Sequence, residues 1–172
     1  VYVRSTLDLG EQAVAMAFAA VGGGSMLVAL LLPKVLERVR ERPIMLAGAA
    51  LMTVSLFLGL LAPGFAGLMG LWFLLGAGAS LVMTPTGRLL KQSCHAEDRP
   101  ALFAAQFSLS HCCWLVAYPL AGWVGAEVGL IETFALLGTI ALLSTALATR
   151  IWPARDPLIL EHSHDPVAHT HL

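Results

Sequence analysis

A chain of 172 residues that is 58% apolar and 12% charged, with a mean hydropathy of +0.79, carries about half the charge usual for a soluble domain of its length. Its formal net charge of −1 leaves no basic footprint, which excludes nucleic acid as a partner. The three cysteines, Cys94, Cys112 and Cys113, supply neither a disulfide framework nor a zinc spacing. Cys112 and Cys113 sit in an apolar run and read as small hydrophobes, with a reactive or metal-binding thiol the competing role.

Residues 1–11 read as an external loop. They begin with Val1 rather than Met and match neither a signal nor a transit peptide, which fits a fragment with sequence upstream. A first charge-free span is expected at 12–33, between Glu11 and Lys34. From Pro43 to Gly87 no Asp, Glu, Lys or Arg occurs. As one helix that stretch would be more than twice the ~30 Å hydrocarbon thickness, so it must fold back, and Ala62-Pro63-Gly64 supplies the break. Spans at 44–61 and 66–86 follow, then 101–123 and 133–149, all within the ~17–25 residues that cross a bilayer. The fold class expected is all-α, a polytopic membrane bundle of five helices over 12–153. Residues 154–172 form a flexible His-rich tail.

Lys and Arg in the short loops set orientation. The loop 34–43 holds Lys34, Arg38, Arg40 and Arg42, and the loop after the third span holds Arg88, Lys91 and Arg99. The hairpin at 62–64 and the connection 124–132 hold none. The alternation places the N-terminus outside and the C-terminus in the cytoplasm of a cell membrane, inner or plasma. Thr84-Pro85-Thr86 reads either as part of a polar lining or as a plain helix break before Arg88.

Two spans carry small residues at helix-packing spacing, Ala15, Ala19 and Gly23 in the first and Gly76 to Ser80 in the third. Such residues let backbones approach closely, whether for tight packing or for motion. In the fourth span His111 lies about ten residues in from Pro100, roughly 15 Å deep. An ionisable group at that depth is a functional-site candidate. Phe107, His111, Trp114 and Tyr118 recur on one helical face, with Gln106 and Ser110 adjoining. Such a stripe can line a substrate path, its rings stacking on an apolar or cationic solute while an imidazole exchanges protons. The competing role is a neutral His bonded to a neighbouring helix among space-filling aromatics. Trp72, Ser80, Thr84 and Thr86 are the next candidate lining. The tail holds His162, His164, His169 and His171 beside carboxylates, a donor set suited to divalent transition metals, or an unstructured end that tolerates His.

The order of spans and basic loops resembles the C-terminal half of a major facilitator superfamily transporter, its eighth to twelfth helices. That family's signature loop reads Gly, three residues, Asp-Arg, any residue, Gly, then basic residues. Here Pro33 stands at the first Gly, Glu37-Arg38 at the acid-Arg pair, and Arg40 and Arg42 beyond, with both glycines lost and the acid one methylene longer. The resemblance implies a gating loop of Glu37, Arg38 and Arg42, with Glu37 meeting a helix N-terminus or an Arg such as Arg88. It also implies inverted three-helix repeats, a cavity bordered by the third span, and rocking against an N-terminal half of the same transporter. The function expected is secondary active transport, a proton-coupled exporter or antiporter of a small solute, either a divalent metal ion or an amphiphile, without cofactor. The alternative is a non-transporting scaffold or metal-sensing module. No His-Glu-x-x-His or Gly-x-Ser-x-Gly motif supports an intramembrane enzyme.

Overall fold

A computed structural model describes residue 3 and residues 7–154. It contains five helices long and apolar enough to cross a membrane. They are α1 (Glu11–Leu36), α2 (Glu41–Leu58, extended by a 3-10 turn at Gly59–Leu61), α3 (Phe65–Gln92), α4 (Arg99–Glu127) and α5 (Leu130–Ile151). Each overruns the charge-free window that marks it. Acidic residues sit in first turns (Glu11, Glu41, Glu132) and basic ones in last turns (Lys34, Lys91, Arg150), as the helix dipole favours, so the flanking charges belong to the helices.

The fold-back falls at Ala62-Pro63-Gly64. Ala62 is left-handed (φ 47°, ψ 57°) and its N–H donates to the Gly59 carbonyl at 3.1 Å, after which α3 begins at Phe65. Gly129 turns α4 into α5 at φ 144°, a conformation that L side chains rarely adopt.

Three prolines lie in helix interiors, beyond the first turn: Pro33, Pro85 and Pro119. Thr84-Pro85-Thr86 is therefore no helix break. Pro85 is fully buried, and the Thr86 hydroxyl donates to the Val82 carbonyl at 2.8 Å. Close helix packing of this kind keeps proline tolerable in lipid.

The helices stand in the spatial order α1, α3, α2, α5, α4, with α3 packed between α1 and α2, α5 against α2, and α4 leaning mainly on α5. At the hairpin end Val3, Ala17 and Leu68 form one core with Trp72, Leu130 and Phe134. At the opposite, basic end Leu32, Leu36 and Ile44 form another. Between them the backbones of α1 and α3 nearly touch. A methyl group on Gly24 would strike the Phe73 carbonyl oxygen, and one on Gly76 the Val21 carbonyl oxygen. Gly48 of α2 meets Gly78 of α3 in the same way. On α3 the small-residue run serves close approach through Gly76 and Gly78, whereas on α1 the touching residue is Gly24. Ala15 and Ala19 are exposed, and a methyl group on Gly23 would meet only the Phe73 ring, at 3.8 Å. Large apolar side chains such as Phe18 and Leu115 face outward, three-quarters exposed, as a lipid-facing surface requires.

Candidate functional site

Helix α4 is the least buried of the five, and none of its most apolar stretch is buried inside the bundle. The residues predicted to share one face do so. The rings of Phe107 and His111 stack at 3.7 Å, those of His111 and Trp114 lie 5.1 Å apart, and those of Trp114 and Tyr118 lie 6.1 Å apart. All four side chains are exposed. The band runs for about 16 Å along the middle of the helix.

The imidazole is held by its own helix rather than a neighbour. His111 Nδ1–H donates to the Phe107 carbonyl at 2.8 Å, and the Ser110 hydroxyl donates to the same oxygen at 2.9 Å. With the proton on Nδ1, the neutral ring carries its lone pair on Nε2, free to accept a hydrogen bond. Gln106, on the adjoining face, is half-buried.

The other predicted lining residues lie elsewhere. Trp72 packs into the α1–α3 seam with Ala17 and Leu68, and its indole Nε1 is buried without a hydrogen-bond partner among the described residues. On α3, Ser80 is buried and its hydroxyl meets that of the exposed Thr84 at 3.3 Å. Neither joins the α4 stripe.

At the basic end the structure selects different partners from those of the signature loop. Glu37 and Arg38 are exposed. The acid that meets Arg88 is Glu41, at 2.9 Å from Nε, a contact that is ionic rather than an aligned hydrogen bond. Arg88 Nη1 also donates to the Leu36 carbonyl at the end of α1 (3.1 Å). Arg42 donates from Nε to the Trp152 carbonyl (3.0 Å) and from Nη2 to the Thr149 carbonyl (3.1 Å), closing the end of α5. Arg88 is the arginine that the resemblance offers as a partner for the loop acid, but the acid it meets is Glu41 rather than Glu37. A Glu in the first turn of one span and an Arg near the end of the next was the available signal. His162, His164, His169 and His171 lie outside the described residues. Among the described residues no cluster of three or more His, Cys, Asp or Glu could hold a metal ion.

Five apolar helices, with α1, α2 and α3 packed through glycine contacts and cationic side chains closing helix ends at one face, define a multi-pass membrane protein. The family model described as Major Facilitator Superfamily matches residues 1–171, and the chain belongs to that superfamily of secondary transporters, which is not an enzyme family. No curated protein gives a significant match.

Proposed function

We propose that this chain is the second half of a proton-coupled exporter of small amphiphilic solutes, with the Phe107–Tyr118 face of α4 as part of the solute path. The observation that carries the proposal is an imidazole at mid-helix depth with the Phe107 ring stacked on it and the Trp114 ring tilted beside it, all on one face of α4. Rings bind apolar or cationic groups without demanding one shape, and the Nε2 edge of His111 takes up the exchanged proton. A divalent-metal cargo rests on the tail histidines alone, so an amphiphile is the better-supported cargo.

Packing symmetry supports the assignment to a half. Inverted repeats would pair an upstream helix, α1 and α2 with α3, α4 and α5 in turn. The two-fold relation maps the α2–α5 contact onto itself and the α1–α3 contact onto one between α4 and the upstream helix. The bareness of α4 is what that arrangement requires. The basic end then faces the cytoplasm, where positively charged loops are retained.

Proteoliposomes of the full-length protein, loaded with a fluorescent amphiphilic cation under an imposed pH gradient, test the proposal. Gradient-driven efflux that His111→Ala abolishes and Trp114→Ala weakens is expected. Full efflux in both variants would overturn the site. Zinc or cobalt movement that depends on residues 162–171, with no movement of the amphiphile, would overturn the cargo.

A further inference from the structure

An apolar groove runs along the outer side of α1 and α2 at the basic end, with a cavity volume of about 310 Å³. Leu31 and Val35 of α1 form one wall, and Val39 with Ala47 of α2 the other. The buried Leu32 and Ile44 form its floor. Its lining is almost wholly apolar. From Leu27 to Val35 the groove follows α1 for about 12 Å, close to the ~15 Å depth of one hydrocarbon leaflet.

The polar end of the groove is the loop between the two helices. Lys34 precedes the lining residue Val35, and Arg38 and Arg40 flank the lining residue Val39. All three are exposed, and among the described residues no ion pair or hydrogen bond engages their side chains. Arg42 and Arg88 are committed to helix ends, and Arg88 occupies Glu41, which leaves Glu37 as the loop's one uncommitted acid. The rim is therefore net positive where a lipid phosphate would lie, and the groove below it is apolar where an acyl chain would lie.

We infer that this groove seats one anionic phospholipid of the surrounding bilayer, its acyl chain between α1 and α2 and its phosphate at Lys34, Arg38 and Arg40. A purely apolar partner, such as a helix of a second copy, would gain nothing from three cations at the rim. A soluble anion would gain nothing from the groove. The two features together select a molecule that is anionic at one end and aliphatic at the other.

The test uses the full-length protein in phosphatidylcholine nanodiscs containing a trace of phosphatidylglycerol with a photoreactive diazirine on its acyl chain, followed by peptide mapping. Label is expected to concentrate on residues 27–47 and to be displaced by unlabelled phosphatidylglycerol but not by phosphatidylcholine. Each of Lys34→Gln, Arg38→Gln and Arg40→Gln is expected to lower that preference about fivefold, the equivalent of one surface cation near anionic lipid. Ala47→Phe, which fills the groove from α2, should remove the label. Leu31→Trp does the same from α1 and decides the matter if Ala47→Phe fails to fold. Label spread evenly over all five helices, displacement by phosphatidylcholine, or survival of the label in the filled groove would each overturn the inference. So would the lack of label on 27–47 because another part of the protein covers this face.

Discussion

Arg88 on α3 stands 2.9 Å from Glu41 at the start of α2, and its guanidinium also reaches the Leu36 carbonyl at the end of α1. One cation thus ties three helices together at the basic end, completing a helix C-terminus and neutralising a carboxylate at a helix N-terminus. The pair is asymmetric, with side chains 14% exposed for Glu41 and 50% for Arg88. Removing the cation leaves a mostly covered carboxylate without its counter-charge and a carbonyl without its donor. Because half of Arg88 is in solvent, screening limits the loss. Arg88→Ala should cost about 1–2 kcal/mol, above the range for fully exposed pairs. Arg88→Lys keeps the charge but not the planar fork and should fall between. Glu41→Gln combined with Arg88→Ala should cost less than the two separately, because the orphaned charge is gone. Thermal unfolding of the full-length protein in detergent measures all three, and additive losses would refute the coupling.

The glycines of α1 differ in what surrounds them. A methyl group on Gly24 would strike the Phe73 carbonyl, and its counterpart on Gly76 would strike that of Val21, both backbone atoms that cannot swing aside. Gly22, two residues before Gly24, has nothing within 4 Å of that position. Gly24→Ala and Gly76→Ala should each destabilise by about 1–3 kcal/mol by forcing α1 and α3 apart. Gly22→Ala should be neutral or stabilise by about 0.5–1 kcal/mol through helix propensity alone. Melting temperatures of the three variants settle the contrast, and equal effects at all three positions would show that the close approach is absent.

These contrasts mark what the residue order can and cannot reveal. Lipid forbids unpaired backbone and uncompensated charge, so stretches such as 43–87 announce both spans and fold-back without further information. Element ends are less legible, because a Lys, Arg or Glu can sit on a helix and still reach water. Pro85 looks like a stop signal, yet α3 runs on through it to Gln92 with the proline fully buried. The stripe from Phe107 to Tyr118 was legible because its geometry is internal to one helix. That α3 lies between α1 and α2, and that Arg88 finds Glu41 rather than Glu37, depend on which faces meet. Helix periodicity does not encode that when nearly every face is apolar.

Arg42 closes the final turn of α5 through the Trp152 and Thr149 carbonyls, more than a hundred residues along the chain. Helix ends leave carbonyls that water, a side chain or a ligand must satisfy, and a guanidinium there also complements the dipole. Arg42→Ala should release the last turn of α5 while leaving the glycine-packed centre intact. Hydrogen exchange should quicken severalfold in a peptide covering 145–152 and remain unchanged across 70–80. Uniform protection in both peptides would show that the contact contributes nothing to holding α5.

The exposure of the α4 stripe separates two roles for the same rings. Trp114 is 44% and Tyr118 68% exposed, so neither holds the described bundle together. If they line a solute path, Trp114→Ala should shift the melting temperature little, within about 0.5 kcal/mol of stability, because the ring contacts it deletes, to His111 and Tyr118, lie on its own helix. The same change should raise KM for an amphiphilic cation several-fold, and Trp114→Phe should restore most of it by keeping a π face. If instead another helix packs on the stripe, Trp114→Ala opens a cavity and costs about 3–5 kcal/mol, and any transport defect follows from lost protein. Measuring melting temperature and efflux KM on one preparation distinguishes the two. A large stability loss with KM unchanged in the surviving protein would assign the rings to packing and leave His111 without a path to serve.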